Sequence, residues 1–357
     1  MGPDSIIMGC WPRTFTLLEA SVDPNHKDRG GNSPLTHAAN HRHATVVTVL
    51  LNNGANMVLE TENGRTAFSC AAGSGHTAIV ELLSTKSNIN SRSKNGRTPL
   101  SWAAGTGQAD IVGQLLAYQN IEVDVPDSSG RTPLSYAAVT GIAAVVGQLL
   151  RRSNINTRGK NGWTPLSWSA GTGRTKVVGQ MLRCQTIEVD VPDSSGRTPL
   201  SFAAADGHIS VVTQLLPRSN CNSMSNNGRT PLSWASGNGQ TTIVECLLND
   251  PGIQTSCADF SGRTPLSWAA EKGHEAVLKQ LLRRNTQLNM KDKRGPTALC
   301  WAAISGCTPA IKLLLDQEET EVNAEDTTSR TPLCWAAEKG HLGMVQKLLE
   351  HPMVAVE

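Results

Sequence analysis

The segment from Asn95 to Leu116, NGRTPLSWAAGTGQADIVGQLL, recurs along the chain. Its Thr-Pro pair, whole or eroded, occurs ten times, at Ser33, Thr66, Thr98, Thr132, Thr164, Thr198, Thr230, Thr264, Thr297 and Thr331. Successive occurrences lie about 32 to 34 residues apart, the period of a helical solenoid. A chain of 357 residues would otherwise suggest two or three globular domains. A fixed period replaces them with one elongated domain whose units touch only their neighbours, and it argues against a single enclosed catalytic pocket.

Each unit can be read from its residues. Thr98-Pro99 is a helix start, because the hydroxyl can accept from a first-turn N–H and Pro at the first helical position loses no needed donor. Leu100, Ala103 and Ala104 give a short first helix a small-residue face, and Gly107 permits a tight reversal. Ile111, Val112, Leu115 and Leu116 make the apolar stripe of a second helix. The linker IEVDV then leads into Asp127-Ser128-Ser129-Gly130, a β-turn signal. Two helices of two to three turns cannot bury their own apolar faces, so stability must come from stacking. At about 8–10 Å between neighbouring helices, ten units would form a curved rod of about 80–100 Å.

A turn, then Thr-Pro-Leu-x-x-Ala-Ala, Gly-His or its variants, Ile-Val-x-x-Leu-Leu and Val-x-Asn together resemble the ankyrin-repeat pattern over about residues 14–357. The resemblance implies an all-α repeat solenoid of about ten stacked ankyrin repeats, each a helix-turn-helix plus β-turn, with partial terminal repeats. The expected boundaries are an irregular tail over 1–13, a half repeat over 14–29, then ten repeats, the last one truncated. The terminal partial repeats read either as caps or as cuts from a longer polypeptide. The first complete repeats are eroded: Ser33 replaces Thr, Arg42 replaces the usual Gly, and Ala67-Phe68 replace Pro-Leu. Residues 98–163 and 164–229 match at roughly two thirds of positions, which reads as duplication of a two-repeat cassette. The Arg-Thr-Pro-Leu-Ser-Trp-Ala-Ala variant is similar to long arrays of filamentous fungi, often carried behind a nucleotide-binding NACHT module.

The main departure from the family is at its Thr-Pro-Leu-His position, where this chain has Ser101, Ser135, Ser167, Ser201, Ser233 and Ser267, then Cys300 and Cys334. The family's His bonds its own Thr and the next repeat, so that clamp is expected to be absent or reduced. Trp102, Trp168, Trp234, Trp268, Trp301 and Trp335 follow immediately, with Tyr136 and Phe202 at equivalent places. Burial of these rings between repeats is the expected compensation, at about 150–250 Å² each.

The resemblance also implies function: reversible binding of another protein in a concave groove made by turn tips and first-helix ends. Arg65, Arg97, Arg131, Arg197, Arg229, Arg263 and Arg330 precede the repeat Thr on that side, with Trp163 interrupting the line. The guanidinium forks could engage an acidic strand or phosphate, or pair locally with turn carboxylates such as Asp127 and Asp193. An exposed Trp among Arg has the composition of a binding hot spot. The ends of the first helices vary on a constant frame, and they supply the other candidates: Thr106, Thr140, Thr172, Asp206, Asn238, Lys272 and Lys339. A second reading is the ligand-sensing arm of a larger STAND/NACHT-type signalling NTPase, and a third is an electrostatic binder of acidic ligands along the Arg line.

Nothing in the sequence supports catalysis, a cofactor or a metal. It holds no phosphate-loop, H-E-x-x-H or G-x-S-x-G motif. His76, His208, His274 and His341 lie two or more repeats apart and read as second-helix N-terminal residues that bond backbone. A net charge of +2 is too small to argue for nucleic acid or membrane as the obvious partner, so nucleic acid is not the expected one. The nine Cys form no C-x-x-C pair and read as buried free thiols of a reducing compartment. No secretory signal, glycosylation sequon or membrane-length apolar run occurs. The expectation is an intracellular protein, cytoplasmic in the first instance, with the nucleus left open.

Overall fold

The computed structural model describes residues 23–352 apart from Lys86 and Asn285. The expected tail 1–13, most of the half repeat 14–29 and residues 353–357 lie outside them. The chain forms two compact units, Met1–Lys160 and Asn161–Glu357. Among the described residues the regular structure is twenty short α-helices in ten pairs and one 3-10 turn at Leu216–Arg218, with no strand.

In the first unit the pairs are α1 Pro34–Asn40 and α2 Ala44–Asn52, α3 Ala67–Ser74 and α4 Thr77–Ser84, α5 Pro99–Thr106 and α6 Ala109–Leu116, and α7 Pro133–Thr140 with α8 Ala143–Leu149. The second unit begins with α9 Pro165–Gly171 and α10 Thr175–Leu182, α11 Pro199–Asp206 and α12 Ile209–Leu215, and α13 Pro231–Gly237 with α14 Thr241–Leu248. It continues with α15 Pro265–Lys272 and α16 Glu275–Leu282, α17 Ala298–Ser305 and α18 Thr308–Leu315, and α19 Pro332–Glu338 with α20 Leu342–Leu349. Within each unit, first helices pack on first helices and second on second. Each unit is therefore a helical repeat stack.

The sequence signals act where they stand. Thr98 Oγ1 accepts from the Ser101 N–H at 3.2 Å, and the eroded Ser33 still accepts from the Thr36 N–H at 3.2 Å. Gly107 closes α5 in the left-handed region at φ +81°. Leu100, Ala103 and Ala104 of α5 and Ile111, Val112 and Leu115 of α6 are buried, as are their equivalents in the central repeats. That places a narrow apolar core between helix pairs, with no repeat able to enclose it alone.

Two non-glycine residues hold left-handed backbone where the repeat elsewhere has Gly, Arg42 at φ 66° and Ser329 at φ 56°. Such a conformation costs about 1–2 kcal/mol for an L-residue. Both lie in repeats near the ends of the described structure. His76, His208, His274 and His341 each donate from Nε2 to a carbonyl near the end of the preceding first helix, at 3.0–3.2 Å to Asn40, Gly171, Gly237 and Ile304. These imidazoles therefore tie one repeat to the next.

The expected family clamp is reduced and partly rebuilt from hydroxyls. Thr98 Oγ1 lies 3.2 Å from Ser101 Oγ inside its repeat. Thr132 and Thr198 also reach the following linker, at 3.3 Å to Thr157 Oγ1 and 3.2 Å to Ser223 Oγ. The cysteines need a correction. Cys70, Cys221 and Cys300 are buried free thiols, whereas Cys184, Cys246, Cys257 and Cys307 are partly exposed and Cys334 is exposed. Cys300 Sγ lies 3.9 Å from the Ala324 carbonyl of the following linker. Hydrogen bonding from the Thr331 side chain pulls the Cys334 thiol below its ordinary pKa, while burial pushes Cys300 up.

Candidate partner-binding groove

The face formed by the turns and first helices is organised by a ladder of stacked cations and rings. Arg97 Cζ lies 3.6 Å from the Trp102 ring centroid of its own repeat and 3.9 Å from Tyr136 of the next. Arg229 lies 3.8 Å from Trp234 and 4.1 Å from Trp268, and Arg263 lies 3.6 Å from Trp268 and 3.9 Å from Trp301. Arg197 stacks on Phe202 and Trp234 at 4.0 and 4.7 Å, and Arg65, Arg131 and Arg330 each stack on a groove ring at 3.6–4.6 Å. Trp163 takes the same slot, its ring 4.3 Å from Trp168 and 4.2 Å from Phe202. The Trp rings and Tyr136 are thus half-buried, most of them against guanidinium groups, while Phe202 is buried outright.

The forks are also tied to backbone. Arg97 Nη2 donates to the Ser101 carbonyl at 2.8 Å, and Arg229 Nη2 donates to Ser233 at 2.8 Å. Arg229 and Arg263 are only 8% and 7% exposed. Burial pulls Arg229 down to about 10, still charged at neutral pH, and lowers Arg97 and Arg197 in the same direction. Local carboxylate pairing, one of the expected alternatives, holds in some repeats: Arg131 and Arg330 approach Asp127 and Asp326 at 3.7 and 3.5 Å. Within each unit the candidate Arg residues therefore take equivalent places in successive repeats, yet most of their charge is already engaged by rings and carbonyls.

The residue eight positions after each ladder residue follows from this packing. A Cβ on Gly105 would lie 2.6 Å from Arg97 Nη2, and one on Gly237 would lie 2.7 Å from Arg229 Nη2. Where that residue is Glu it binds the fork instead, Glu271 to Arg263 at 2.6 Å and Glu338 to Arg330 at 2.9 Å. In the ninth repeat Pro296 replaces the Arg and Ile304 stands eight residues on.

A second device was missed in the sequence. The turn Asp accepts from the ring nine residues later: Asp259 from Trp268 Nε1, Asp292 from Trp301 and Asp326 from Trp335, each at 3.0 Å. Asp127 accepts from the Tyr136 hydroxyl at 2.5 Å, and burial together with this bond raises the phenol's pKa. Ser93 and Ser225 replace the Asp in two repeats, and there the buried indole N–H of Trp102 and Trp234 finds no acceptor among the described residues. The constant Asp-to-ring spacing was the signal that could have revealed it.

The remaining candidates lie at or just after the ends of the first helices of their own repeats. Thr106, Asp206, Asn238, Lys272 and Lys339 are exposed, and Thr140 and Thr172 are half-buried. Several are partly used internally. Thr106 donates to the Gly73 carbonyl of the preceding repeat at 2.8 Å, Asn238 to Ala205 at 2.9 Å, and Thr172 to Trp168 at 2.7 Å. Lys272 and Lys339 sit near Glu271 and Glu338 at 3.7 and 3.2 Å.

Clefts open between successive turn tips. One of about 480 Å³ is lined by Phe260, Arg263, Trp268 and Trp301 with Lys293 and Arg294 at its rim, and one of about 450 Å³ lies between Ser194, Arg197, Asn226 and Trp234. Gly262 shapes the first: at φ +86°, a Cβ there would sit 2.8 Å from the Lys293 backbone nitrogen. No group of three His, Cys, Asp or Glu side chains among the described residues is placed to hold a metal ion. No helix among them is long and apolar enough to cross a membrane.

A family model described as ankyrin repeats in three copies matches residues 13–93, 81–159, 142–225, 202–292 and 276–356. No curated protein matches the chain.

Proposed function

The chain belongs to the ankyrin-repeat family, and on that premise we propose that it is a non-catalytic scaffold that holds another protein against its turn-and-first-helix face. Ankyrin repeats are generally protein–protein interaction modules, and this chain's own geometry supports the choice of face. The observation that carries the reading is the run of clefts between turn tips, each floored by ladder rings and rimmed by polar side chains on a backbone fixed by its neighbours. A rigid frame with varied tips binds without the cost of ordering itself.

The engaged ladder weighs against a purely electrostatic mode along the Arg row. A buried guanidinium stacked on two rings and bonded to a carbonyl cannot turn outward to a phosphate without losing those partners.

Affinity capture with the full chain tests the proposal. Recovery of a bound protein should fall with Asp206→Arg, Asn238→Arg or Lys272→Glu and persist with Lys347→Glu on α20. Loss through the second-helix change alone would move the binding surface to the other side.

A further inference from the structure

The cleft between the eighth and ninth repeats differs from the others in what its charges are free to do. Phe260, at the tip of the turn, is 58% exposed, where equivalent tips carry Ser128, Ser194, Asn226 and Thr327. Its backbone is held by the bond from its N–H to the Asn227 carbonyl at 2.9 Å, so the ring is offered on a fixed mount. Trp268 and Trp301 supply the rest of the apolar lining, and the cleft volume is that of a site for one large side chain and its flanks.

The carboxylates around this cleft are all engaged. Asp292 accepts from the Arg294 N–H at 2.8 Å and from Trp301 Nε1 at 3.0 Å, Asp259 accepts from Ser261 and Trp268, and Glu271 holds Arg263. Lys293 and Arg294 are exposed, and no carboxylate among the described residues lies within 4.0 Å of either cation. Their backbones are pinned: the Lys293 N–H donates to Ser261, and the Arg294 carbonyl accepts from Thr327. The result is an aromatic hollow with two unpaired positive charges fixed at its mouth.

We infer that this cleft is the anchor point for an acidic segment of a partner protein, with one large aliphatic or aromatic side chain seated against Phe260, Trp268 and Trp301 and neighbouring Asp or Glu residues meeting Lys293 and Arg294. The inference rests on the scaffold reading above and adds the chemistry of the bound segment. Charge complementarity selects the acidic flanks, and the exposed ring selects the apolar anchor. A nucleic acid strand is disfavoured because it needs a run of cations, and Glu271 and Glu338 stand in the same groove.

Selection of a random displayed-peptide library on the full chain tests this. Enriched peptides should carry a large apolar residue flanked by Asp or Glu, and their affinity should weaken as salt rises. It should also drop at least about tenfold in K293E/R294E and in Phe260→Ser, with circular dichroism unchanged because all three side chains are exposed. Peptides that instead lose affinity only with Asp206→Arg or Asn238→Arg would overturn the anchor while leaving the groove in use. Peptides sensitive only to Lys347→Glu, or no enrichment at all, would overturn both readings. Tighter binding of single-stranded oligothymidylate than of any peptide, lost in K293E/R294E, would assign the cations to nucleic acid and overturn the inference.

Discussion

Arg97 and Arg263 stand in distant repeats and stack identically, each 3.6 Å from its own ring and 3.9 Å from the next. What surrounds them is different. At Arg97 the turn carries Ser93, the Trp102 N–H has no acceptor among the described residues, and the tip is Lys94-Asn95. At Arg263 the turn carries Asp259, the Trp268 N–H is bonded, a carboxylate clasps the fork, and the tip is Phe260. The constancy of the stack against the variety of the tips separates scaffold from surface: the row of Arg builds the groove floor, and recognition is left to the residues above it.

Removing the stack should be the largest loss in both repeats, and the Arg263 repeat also loses the fork's carboxylate partner. Arg97→Ala and Arg263→Ala are each expected to lower stability by about 3 kcal/mol, from the desolvated cation–π contact plus a charge-assisted hydrogen bond, seen as a drop in the urea midpoint. A much smaller loss at either would show that its fork is replaceable by water. The turns should then divide the two. Asp259→Ser should cost about 1–3 kcal/mol by stranding the Trp268 N–H, while Ser93→Asp should gain about 1 kcal/mol by supplying Trp102 with an acceptor.

Smaller still, Ser329→Gly should stabilise by about 1 kcal/mol, since the left-handed turn in the tenth repeat is the one place where the Asp-type turn lacks its Gly. Phe260→Ala should change stability by less than about 0.5 kcal/mol, being exposed, and so sharpen the distinction between tip and floor. Acid separates the two turn types by sign. Burial disfavours the charged form of Asp326, but hydrogen bonds from Thr328, the Arg330 N–H and Trp335 outweigh it and hold its carboxyl down to about 2. A depressed carboxyl contributes stability above its unfolded value and loses it as pH falls through its folded one. The stability difference between the wild type and Asp326→Ser should therefore shrink as pH falls from about 4 to about 2, in denaturant titrations at each pH.

The fold was legible because its instructions are local and repeated. Thr98, Pro99, Gly107 and the Ile111-Val112 pair each act within a few residues of themselves, and ten copies make the period unmistakable. The groove was legible only in outline. Arg97 could be placed on the correct face, but its second ring, Tyr136, lies 39 residues on, and no local propensity encodes a contact between repeats. Variation at Gly105, Gly237 and Glu271 suggested a recognition surface. Much of it answers instead to whether an Arg fork has to fit there, as the 2.6 Å separation at Gly105 shows.

That separation also sets what a new side chain at Gly105 would demand of its neighbour. A methyl group on residue 105 would sit 2.6 Å from the Arg97 fork, so the guanidinium would have to shift, as it is placed to do where Arg131 faces Val139 and Arg197 faces Ala205. The pair Pro296 and Ile304 differs from Arg97 and Gly105 at both members, whereas Trp163 and Gly171 differ from it at one. Single changes at Phe260 or Lys293 can therefore retune what this protein holds without touching the floor, while a change at Gly105 also asks the Arg97 fork to move.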